Sequence, residues 1–470
     1  MRRLWRPLLA ICLLNTVTAL AEESVADDAP PDLGARRAGE DWPTFLGPRG
    51  DSKSGERGIL APWPADGPPI VWQRHVDTGY GMPSISRGRL FQFERIRDQA
   101  ILACLKSETG EELWRFAYPT AYEDLYGYDN GPRCSPVVDG GRVYIFGAEG
   151  MLHCIRAEDG QLVWKVDTQA QFHVVQNFFG VGSTPVVYQD LLIVHIGGSV
   201  PADQASSPGR LDLVEGANSG VVAFDKYTGK VRYQLSDELA SYAGPTLAKI
   251  GDRDWCFVFA RGGLIGFEPK TGKLDFHFPW RAKILESVNA SNPVVVGDQV
   301  LISETYGPGA ALLRVRPGGY NVVWSDDDRT IRNKRLQTHW NTPIHVDGHV
   351  YGSSGRHSEN AELRCLELAT GNVKWSEPGL TRSSLLYVDG HFICLGERGA
   401  LSLLKVNPER YEEVSRVTLL DKSDAANRPA GFPPGQLIRY PAWAAPILSH
   451  GLLYVRGRDR LVCLELIPEK

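Results

Sequence analysis

The sequence predicts an all-β fold, an eight-bladed β-propeller built from four-stranded antiparallel blades. Two independent counts of a repeated pattern support this prediction, and both give eight repeats. The first count follows an aromatic position shortly after a turn: Trp72, Trp114, Trp164, Tyr233, Phe276, Trp324, Trp375 and, in a degenerate repeat, Val414. The second follows a short β run usually opened by proline: Pro83, Pro136, Pro185, Pro245, Pro293, Pro343, Leu385 in the repeat that lacks the proline, and Pro446. Proline at the first residue of a strand removes no ladder hydrogen bond, so its recurrence marks where each first strand begins.

The composition agrees with a turn-rich β array. The chain has 470 residues, of which 43% are hydrophobic and 10% aromatic, and it contains 49 glycines and 31 prolines. Its length exceeds the roughly 100 to 200 residues of a usual domain, which leaves a multi-domain protein or a repeat array. The eight repeats favour the array.

Residues 1–21 have the three parts of a secretory signal. An apolar run from Leu8 to Leu14 precedes Ala19-Leu20-Ala21, and the basic residues before that run are Arg2, Arg3 and Arg6. The run is shorter than the roughly 20 residues needed to cross a bilayer. We therefore expect an exported protein, in the periplasm or outside the cell, with no transmembrane segment after signal removal.

Two segments separate this signal from the repeats. Residues 22–40 are charged, rich in Ala and Pro and without periodicity, which predicts a flexible leader. Residues 41–68 begin with DWPTFLGPRGD, whose aromatic residues and turn formers predict a segment packed on the propeller. Residues 69–470 form the predicted propeller.

The order of the repeats predicts how the ring closes. Trp72 lies in PIVWQRHV, ahead of the first inner strand, whereas the chain ends on a third strand, LVCLELI at 461–467, with no fourth strand after it. We therefore expect the N-terminal strand to complete the last blade. Such closure removes exposed strand edges, which an exported protein needs.

Charge and cysteine usage argue against two kinds of site. Signal removal leaves 48 basic against 56 acidic residues, a formal charge of −8, whereas nucleic-acid binding needs concentrated positive charge. The absence of a CxxC spacing gives no support for a metal site. Four cysteines occupy one equivalent position in separate repeats and are expected to be buried and too far apart to pair: Cys104, Cys154, Cys365 and Cys463.

The candidate site lies in the long loops. The loops before each first strand and those between second and third strands should share one rim of the ring, which we call the top face. These loops are long and varied, whereas the turns on the opposite face are short. The predicted ligand-binding residues of the top face are Arg133, His173, Arg281, Glu286, Asn289, Glu304, His339, Trp340, Arg382 and Trp443.

The residue types of this set favour a small anionic, quinone-like or carbohydrate ligand. Arginine binds carboxylates through two parallel hydrogen bonds, and tryptophan offers a flat surface on which a ring can stack. Each residue also has a structural interpretation, in which aromatic rings pack one blade on the next and arginines pair with loop carboxylates.

The repeats resemble the pyrroloquinoline quinone (PQQ) repeat, whose consensus is small-x-Asp-x-x-Thr-Gly-x-x-x-Trp. Ala223, Asp225, Thr228, Gly229 and Tyr233 follow this consensus with one aromatic exchange, and the resemblance extends over residues 69–467. It implies an eight-bladed propeller. The family includes quinoprotein alcohol and sugar dehydrogenases, the lipoprotein scaffold of the outer-membrane barrel assembly machinery, and exported bacterial proteins of unassigned role. The sequence is most similar in character to the last group.

The leading hypothesis is a binding protein or scaffold and not an enzyme. The sequence has no nucleophile elbow, HExxH motif or Gly-rich phosphate loop, so we assign no catalytic residue. We expect a monomer whose partner is a small molecule or an envelope protein.

The resemblance leaves two alternatives. A PQQ-dependent alcohol or sugar dehydrogenase would hold calcium and PQQ above a tryptophan floor, roles open to Glu286, Asn289, Glu304 and Trp340. The adjacent cysteine pair and the long insertions usual in those enzymes are missing. The further alternative is an outer-membrane assembly scaffold, which would present a broad contact surface instead of a closed pocket.

Overall fold

The computed structural model describes residues 29–421 and 435–469. It contains eight sheets, each with a four-stranded antiparallel meander. Successive strands form seven of the meanders, whereas the eighth takes its outer strand from the N-terminal region, and one sheet carries a fifth, parallel strand. The predicted eight-bladed β-propeller is confirmed. The predicted signal peptide at 1–21 and residues 22–28 of the predicted leader lie outside the described residues, and the division into four segments stays a prediction.

Blades 1 to 4 follow two N-terminal strands, β1 (Lys53–Ser54) and β2 (Ile70–His75). Their strands are β3 (Ser84–Ser86), β4 (Arg89–Ile96), β5 (Gln99–Lys106), β6 (Glu112–Pro119), β7 (Val137–Asp139), β8 (Arg142–Phe146), β9 (Met151–Arg156), β10 (Leu162–Asp167), β11 (Val186–Tyr188), β12 (Leu191–His195), β13 (Val221–Asp225), β14 (Val231–Leu235), β15 (Thr246–Ile250), β16 (Arg253–Phe259), β17 (Gly263–Phe267) and β18 (Leu274–Pro279). A short helix, α1 (Thr168–Phe172), follows β10.

Blades 5 to 8 repeat the plan. Their strands are β19 (Val294–Val296), β20 (Gln299–Ser303), β21 (Ala310–Arg316), β22 (Gly319–Ser325), β23 (Ile344–Val346), β24 (His349–Ser354), β25 (Glu362–Glu367), β26 (Val373–Pro378), β27 (Ser383–Val388), β28 (His391–Gly396), β29 (Ala400–Lys405), β30 (Glu413–Thr418), β31 (Ile447–Ser449), β32 (Leu452–Arg456) and β33 (Arg460–Glu465). Short 3₁₀ turns occur at Pro201–Ala205, Leu211–Leu213, Ile331–Asn333 and Ser358–Asn360. Within 29–421 and 435–469, no helix has the length and apolar character required to span a bilayer.

The aromatic positions of the repeat lie on the outer strands and join each blade to the next. Trp114 in β6 donates its ring N–H to the carbonyl of Ala157 in blade 2, at 3.2 Å. A Cβ on Gly160, which has a φ of +78°, would lie 2.6 Å from the Trp114 ring, so this turn requires glycine. Equivalent bonds join Trp164 to Lys226, Trp324 to Leu368 and Trp375 to Asn407.

The cysteines contribute to the apolar clusters between neighbouring blades. All seven cysteines of the described residues are buried and free, among them Cys104 in β5 and Cys463 in β33. Burial raises the pKa of the Cys104 thiol to about 12, which keeps it protonated.

The ring closes through the N-terminal strand, as the sequence predicts. Strand β2 pairs antiparallel with β33 and places Trp72 opposite Cys463. The ring N–H of Trp72 donates to the carbonyl of Ser107 in blade 1, at 2.9 Å. The fourth strand of blade 8 therefore comes from the other end of the chain.

Residues 41–54 cross the face opposite to the top face. Trp42 forms an antiparallel bridge with Ile85 of blade 1, and Val138 of blade 2 donates its N–H to the carbonyl of Pro43 at 2.8 Å. Strand β1 runs parallel to β27 of blade 7, the inner strand whose start lacks the proline. These bonds hold the segment across the central channel.

Candidate ligand-binding cavity

A cavity of about 740 Å³ opens where the top-face loops meet. Its wall includes residues from the segment before each of the eight inner strands, together with residues between the second and third strands of blades 5 and 6. Phe45 and Leu46 of the N-terminal segment form part of the floor. Phe45 also lines a second cavity of about 680 Å³ below, so the N-terminal segment divides the central channel.

The floor is held in one conformation by close packing. Leu46 is 4% exposed and has a φ of +63°, a left-handed conformation that a leucine adopts only when its surroundings enforce it. Next to it, a Cβ on Gly47 would lie 2.8 Å from the ring of Trp42. The buried Trp42 therefore fixes the turn that carries Phe45 and Leu46.

An aromatic belt surrounds most of the cavity. Neighbouring ring centroids in the belt lie 4.8 to 6.2 Å apart, within the range of favourable edge and tilted contacts. The belt consists of Tyr80, Tyr128, Phe179, Tyr242, Tyr306, His339, Trp340 and Trp443. It offers flat apolar surface on several sides of one open cavity.

Arg382 lies between the two tryptophans of the belt. Its guanidinium carbon is 4.4 Å from the Trp340 ring centroid and 5.7 Å from that of Trp443. Its nitrogens donate to both carboxylate oxygens of Glu397 at 2.6 to 3.1 Å. The positive charge of Arg382 is thus balanced by a carboxylate that is fully buried.

Glu397 also binds two further loops. Its carboxylate accepts the ring N–H of Trp443 at 3.0 Å and the hydroxyl of Ser358. Burial alone would raise the pKa of Glu397, but the hydrogen bonds from Arg382, Ser358 and Trp443 hold that pKa below its usual value. The ionised Glu397 therefore connects blades 6, 7 and 8 behind the cavity wall.

Arg133, whose guanidinium carbon lies 5.7 Å from the Tyr80 ring centroid, is neutralised in the same way. It pairs at 2.5 Å with Asp124, whose side chain is fully buried. Asp124 also accepts the backbone N–H groups of Tyr126 and Tyr128, at 2.9 and 3.3 Å. The pair therefore orders the loop that carries Tyr128.

The end of the cavity near blades 5 and 6 is electropositive. The hydroxyl of Tyr306 lies 3.3 Å from Nε2 of His339, and the guanidinium carbon of Arg356 lies 4.5 Å from the Tyr306 ring centroid. Burial, followed by the charges of Arg382 and Arg356, lowers the pKa of His339 to about 3, so its imidazole is neutral at pH 7. We call Tyr306, Arg356 and His357 the cationic corner.

Six of the ten predicted site residues line this one cavity: Arg133, Glu286, His339, Trp340, Arg382 and Trp443. Their role in ligand binding stays a prediction.

The other four predicted residues lie elsewhere. His173 follows α1 and faces the side chain of Gln204 at 3.2 Å. Arg281 donates to the carbonyls of Ile284 and Leu285, both at 3.4 Å.

Asn289 and Glu304 turn into the protein. The amide of Asn289, which is 1% exposed, donates to the carbonyl of Ala260 at 2.7 Å. The carboxylate of Glu304 accepts backbone N–H groups of its own loop, from Tyr306 at 2.7 Å and Gly307 at 2.8 Å. Both side chains therefore support loops instead of lining the cavity.

Two residues that matter here, Arg356 and Glu397, are not among the ten predicted site residues. Both lie between the second and third strands of a blade, in the loop class that also carries Glu304. That shared position is the one sequence signal that could find them.

The residues present do not fit a calcium-bound PQQ. The resemblance suggests three oxygen ligands, Glu286, Asn289 and Glu304. Glu286 lines the cavity, but Asn289 and Glu304 face away from it and are engaged by the protein backbone. The described ranges bring no three His, Cys, Asp or Glu side chains together in a group that could hold a metal ion.

Comparison with known proteins relates the chain to PQQ-like propellers. A family model described as outer membrane protein assembly factor BamB matches residues 97–377. A curated protein of that name from Marinobacter adhaerens is 29% identical over 96 residues, a stretch that covers 20% of this chain and 20% of the relative's own length.

Two solved structures share the fold at low sequence identity. BamB from Moraxella catarrhalis is 14% identical, with a TM-score of 0.53 over 84% of this chain and 97% of that one. Quinohemoprotein alcohol dehydrogenase from Comamonas testosteroni is 13% identical, with a TM-score of 0.60 over 92% of this chain and 82% of that one. On the match of the family model, the chain belongs to the PQQ-like β-propeller family of the outer membrane protein assembly factor BamB.

Proposed function

We propose that this protein is an exported propeller that binds a small, ring-containing organic molecule in its top-face cavity. The observation that carries the proposal is the aromatic belt around a cavity of about 740 Å³. Small-molecule sites typically have volumes of roughly 300 to 1,000 Å³, with apolar and aromatic walls and a few placed polar groups. A quinone-like ring, an aromatic acid or a sugar would stack on such walls.

The site is pre-organised for binding. Two arginines of the cavity lining, Arg133 and Arg382, are each held by a buried carboxylate. A ligand would therefore meet side chains that are already fixed, which lowers the entropy lost on binding. Pairs of this kind give the cavity a defined shape and leave little net charge at its centre.

The experiment is a ligand screen against the purified exported protein, by thermal shift and then by calorimetry. The panel contains quinones, aromatic acids, sugar acids and neutral sugars. We expect Trp443→Ala to lower the affinity for any ligand of the cavity at least tenfold, because it removes the ring that contacts Tyr80, Tyr128 and Trp340 of the belt. The matched control is Trp114→Ala, which removes an outer-strand tryptophan far from the cavity and should leave affinity unchanged.

A wild-type protein that binds no member of the panel would contradict the proposal. Equal affinity in Trp443→Ala and wild type would place the site elsewhere.

An envelope-protein partner is the second candidate, favoured by the family match over residues 97–377. Leu125 and Leu213 are 43% and 62% exposed and could serve such a contact. A pull-down from envelope extracts should then recover one specific partner with the wild type and with Trp443→Ala, but not with Leu125→Ser/Leu213→Ser. Recovery of no partner by the wild type would count against this candidate.

The dehydrogenase alternative has a direct test. If the chain were a PQQ-dependent dehydrogenase, added PQQ and calcium would give cofactor absorbance and dye-linked activity, and the absence of both would exclude this alternative.

A further inference from the structure

The charges that line the cavity are unevenly balanced. The lining contains the three arginines Arg133, Arg356 and Arg382, but one carboxylate, Glu286. Arg133 and Arg382 are compensated by Asp124 and Glu397. For Arg356, no carboxylate lies within ion-pair distance among residues 29–421 and 435–469, which leaves its charge available to a ligand.

The position of Arg356 places this positive charge at one end of the cavity. Its guanidinium carbon lies 4.5 Å from the Tyr306 ring centroid, so the aromatic face holds the side chain at the cavity end. Glu286 belongs to another part of the wall, where its charge acts on Tyr126 of the loop before β7. An anionic group would thus be attracted to the cationic corner and repelled from the Glu286 side.

The cationic corner adjoins the tryptophans. The main-chain oxygen of Arg356 accepts a hydrogen bond from Arg382 at 3.2 Å, and Arg382 in turn contacts both Trp340 and Trp443. The corner also joins the belt through successive ring contacts, from Tyr306 to His339 at 5.6 Å between centroids and from His339 to Trp340 at 4.9 Å. His339, which lies between Tyr306 and Trp340, is neutral and adds no charge of its own there.

We propose that the cavity selects ring compounds carrying one carboxylate, with the ring stacked on the belt at Trp443 and the carboxylate bound by Arg356. This inference rests on the proposed binding function and adds the chemical class of the ligand. Two kinds of compound have this chemistry, aromatic carboxylates and sugar acids. Both would place a planar carboxylate on a planar guanidinium.

The test compares acids with their neutral counterparts by calorimetry. The probes are 4-hydroxybenzoate against 4-hydroxybenzamide, and glucuronate against glucose. We expect the wild type to bind one of the acids at least tenfold more tightly than its neutral counterpart, and the pair in which this occurs identifies the source.

In the variant Arg356→Gln, the affinities for the acid and for its neutral counterpart should differ by no more than about twofold. Each factor of ten lost in this ratio corresponds to roughly 1.4 kcal/mol of binding free energy. Arg356→Lys should keep part of the preference. The control is Arg398→Gln, an arginine whose side chain is 65% exposed and which does not line the cavity. It should behave as the wild type.

The outcomes separate this inference from the function on which it rests. If the wild type binds neutral ring compounds as well as acids, or if Arg356→Gln keeps the full preference for the acid, the carboxylate assignment is wrong and the binding function stands. If no ring compound of either kind binds, both are wrong.

Discussion

Glu304 illustrates how one buried carboxylate supports the cavity. It is 1% exposed and lies behind Tyr306, where burial raises its pKa to about 7 against the opposing effect of its backbone hydrogen bonds. A carboxyl group whose pKa is raised in the folded state stabilises the fold at low pH. That stability is lost as the pH rises from the ordinary pKa near 4.5 to the folded value near 7.

We therefore predict that Glu304→Gln changes the pH dependence of stability. Glutamine stays uncharged, so the free energy of unfolding of the variant, relative to wild type, should rise by about 3 kcal/mol between pH 4.5 and pH 7.5. Chemical unfolding at several pH values measures this difference. The control Glu359→Gln changes a carboxylate whose side chain is 78% exposed and should show no such rise. A pH-independent difference for Glu304→Gln would contradict the argument.

The individual site residues show where sequence reasoning succeeds and where it stops. Arg133, His339 and Trp443 lie four or five residues before an inner strand, a spacing visible in the sequence, and all three reach the cavity. Asn289 also lies five residues before its inner strand, yet its amide turns inward to the carbonyl of Ala260. Spacing places the backbone, whereas the direction of a side chain depends on the bonds offered by the neighbouring blade.

At the level of elements, three loops from three blades share one buried carboxylate. Glu397 accepts hydrogen bonds from Ser358 of blade 6, from Arg382 at the start of blade 7 and from Trp443 before blade 8. The sequence gives each loop a length and a composition. Which glutamate pairs with which arginine across loops depends on the closed ring, so this network lies beyond sequence reasoning.

We predict that Glu397→Gln loosens this part of the wall. The variant leaves Arg382, whose side chain is only 14% exposed, without a counter-charge and turns an amide donor towards it, so the free energy of unfolding should fall by roughly 3 kcal/mol. The affinity for any cavity ligand should fall with it. Chemical unfolding and calorimetry measure both.

The control for this change is Glu111→Gln, which breaks a pair with Lys106 whose side chains are 60% and 43% exposed. Such pairs contribute about 0 to 1 kcal/mol, so the control should be close to wild type. An equal and small effect of the two variants would mean that Glu397 does not organise the wall.

For the whole molecule, the sequence predicts the architecture well because the repeat has a physical reason at each position. The glycine of the turn fits against a tryptophan ring of the preceding blade, and the proline opens an inner strand, so eight repeats imply eight blades. The exception is informative. The repeat without the proline forms β27, six residues long, whose Tyr387 donates its N–H to Ser52 of the N-terminal segment at 2.9 Å.

Ring closure distinguishes Trp72 from the other outer-strand tryptophans, and this difference can be measured. Trp72 and Trp375 each donate a ring N–H to the next blade, at 2.9 and 3.0 Å, and each is partly buried. Truncation to alanine should lower the free energy of unfolding of either variant by roughly 3 to 5 kcal/mol through lost packing. Only Trp72 lies on the strand that joins the N-terminal region to blade 8, so Trp72→Ala should also weaken the closure of the ring.

We therefore expect a larger fall in Tm and faster unfolding for Trp72→Ala than for Trp375→Ala, measured by calorimetry and by unfolding kinetics. An unchanged Tm in Trp72→Ala, or equal effects in the two variants, would mean that this tryptophan does not hold the ring closed.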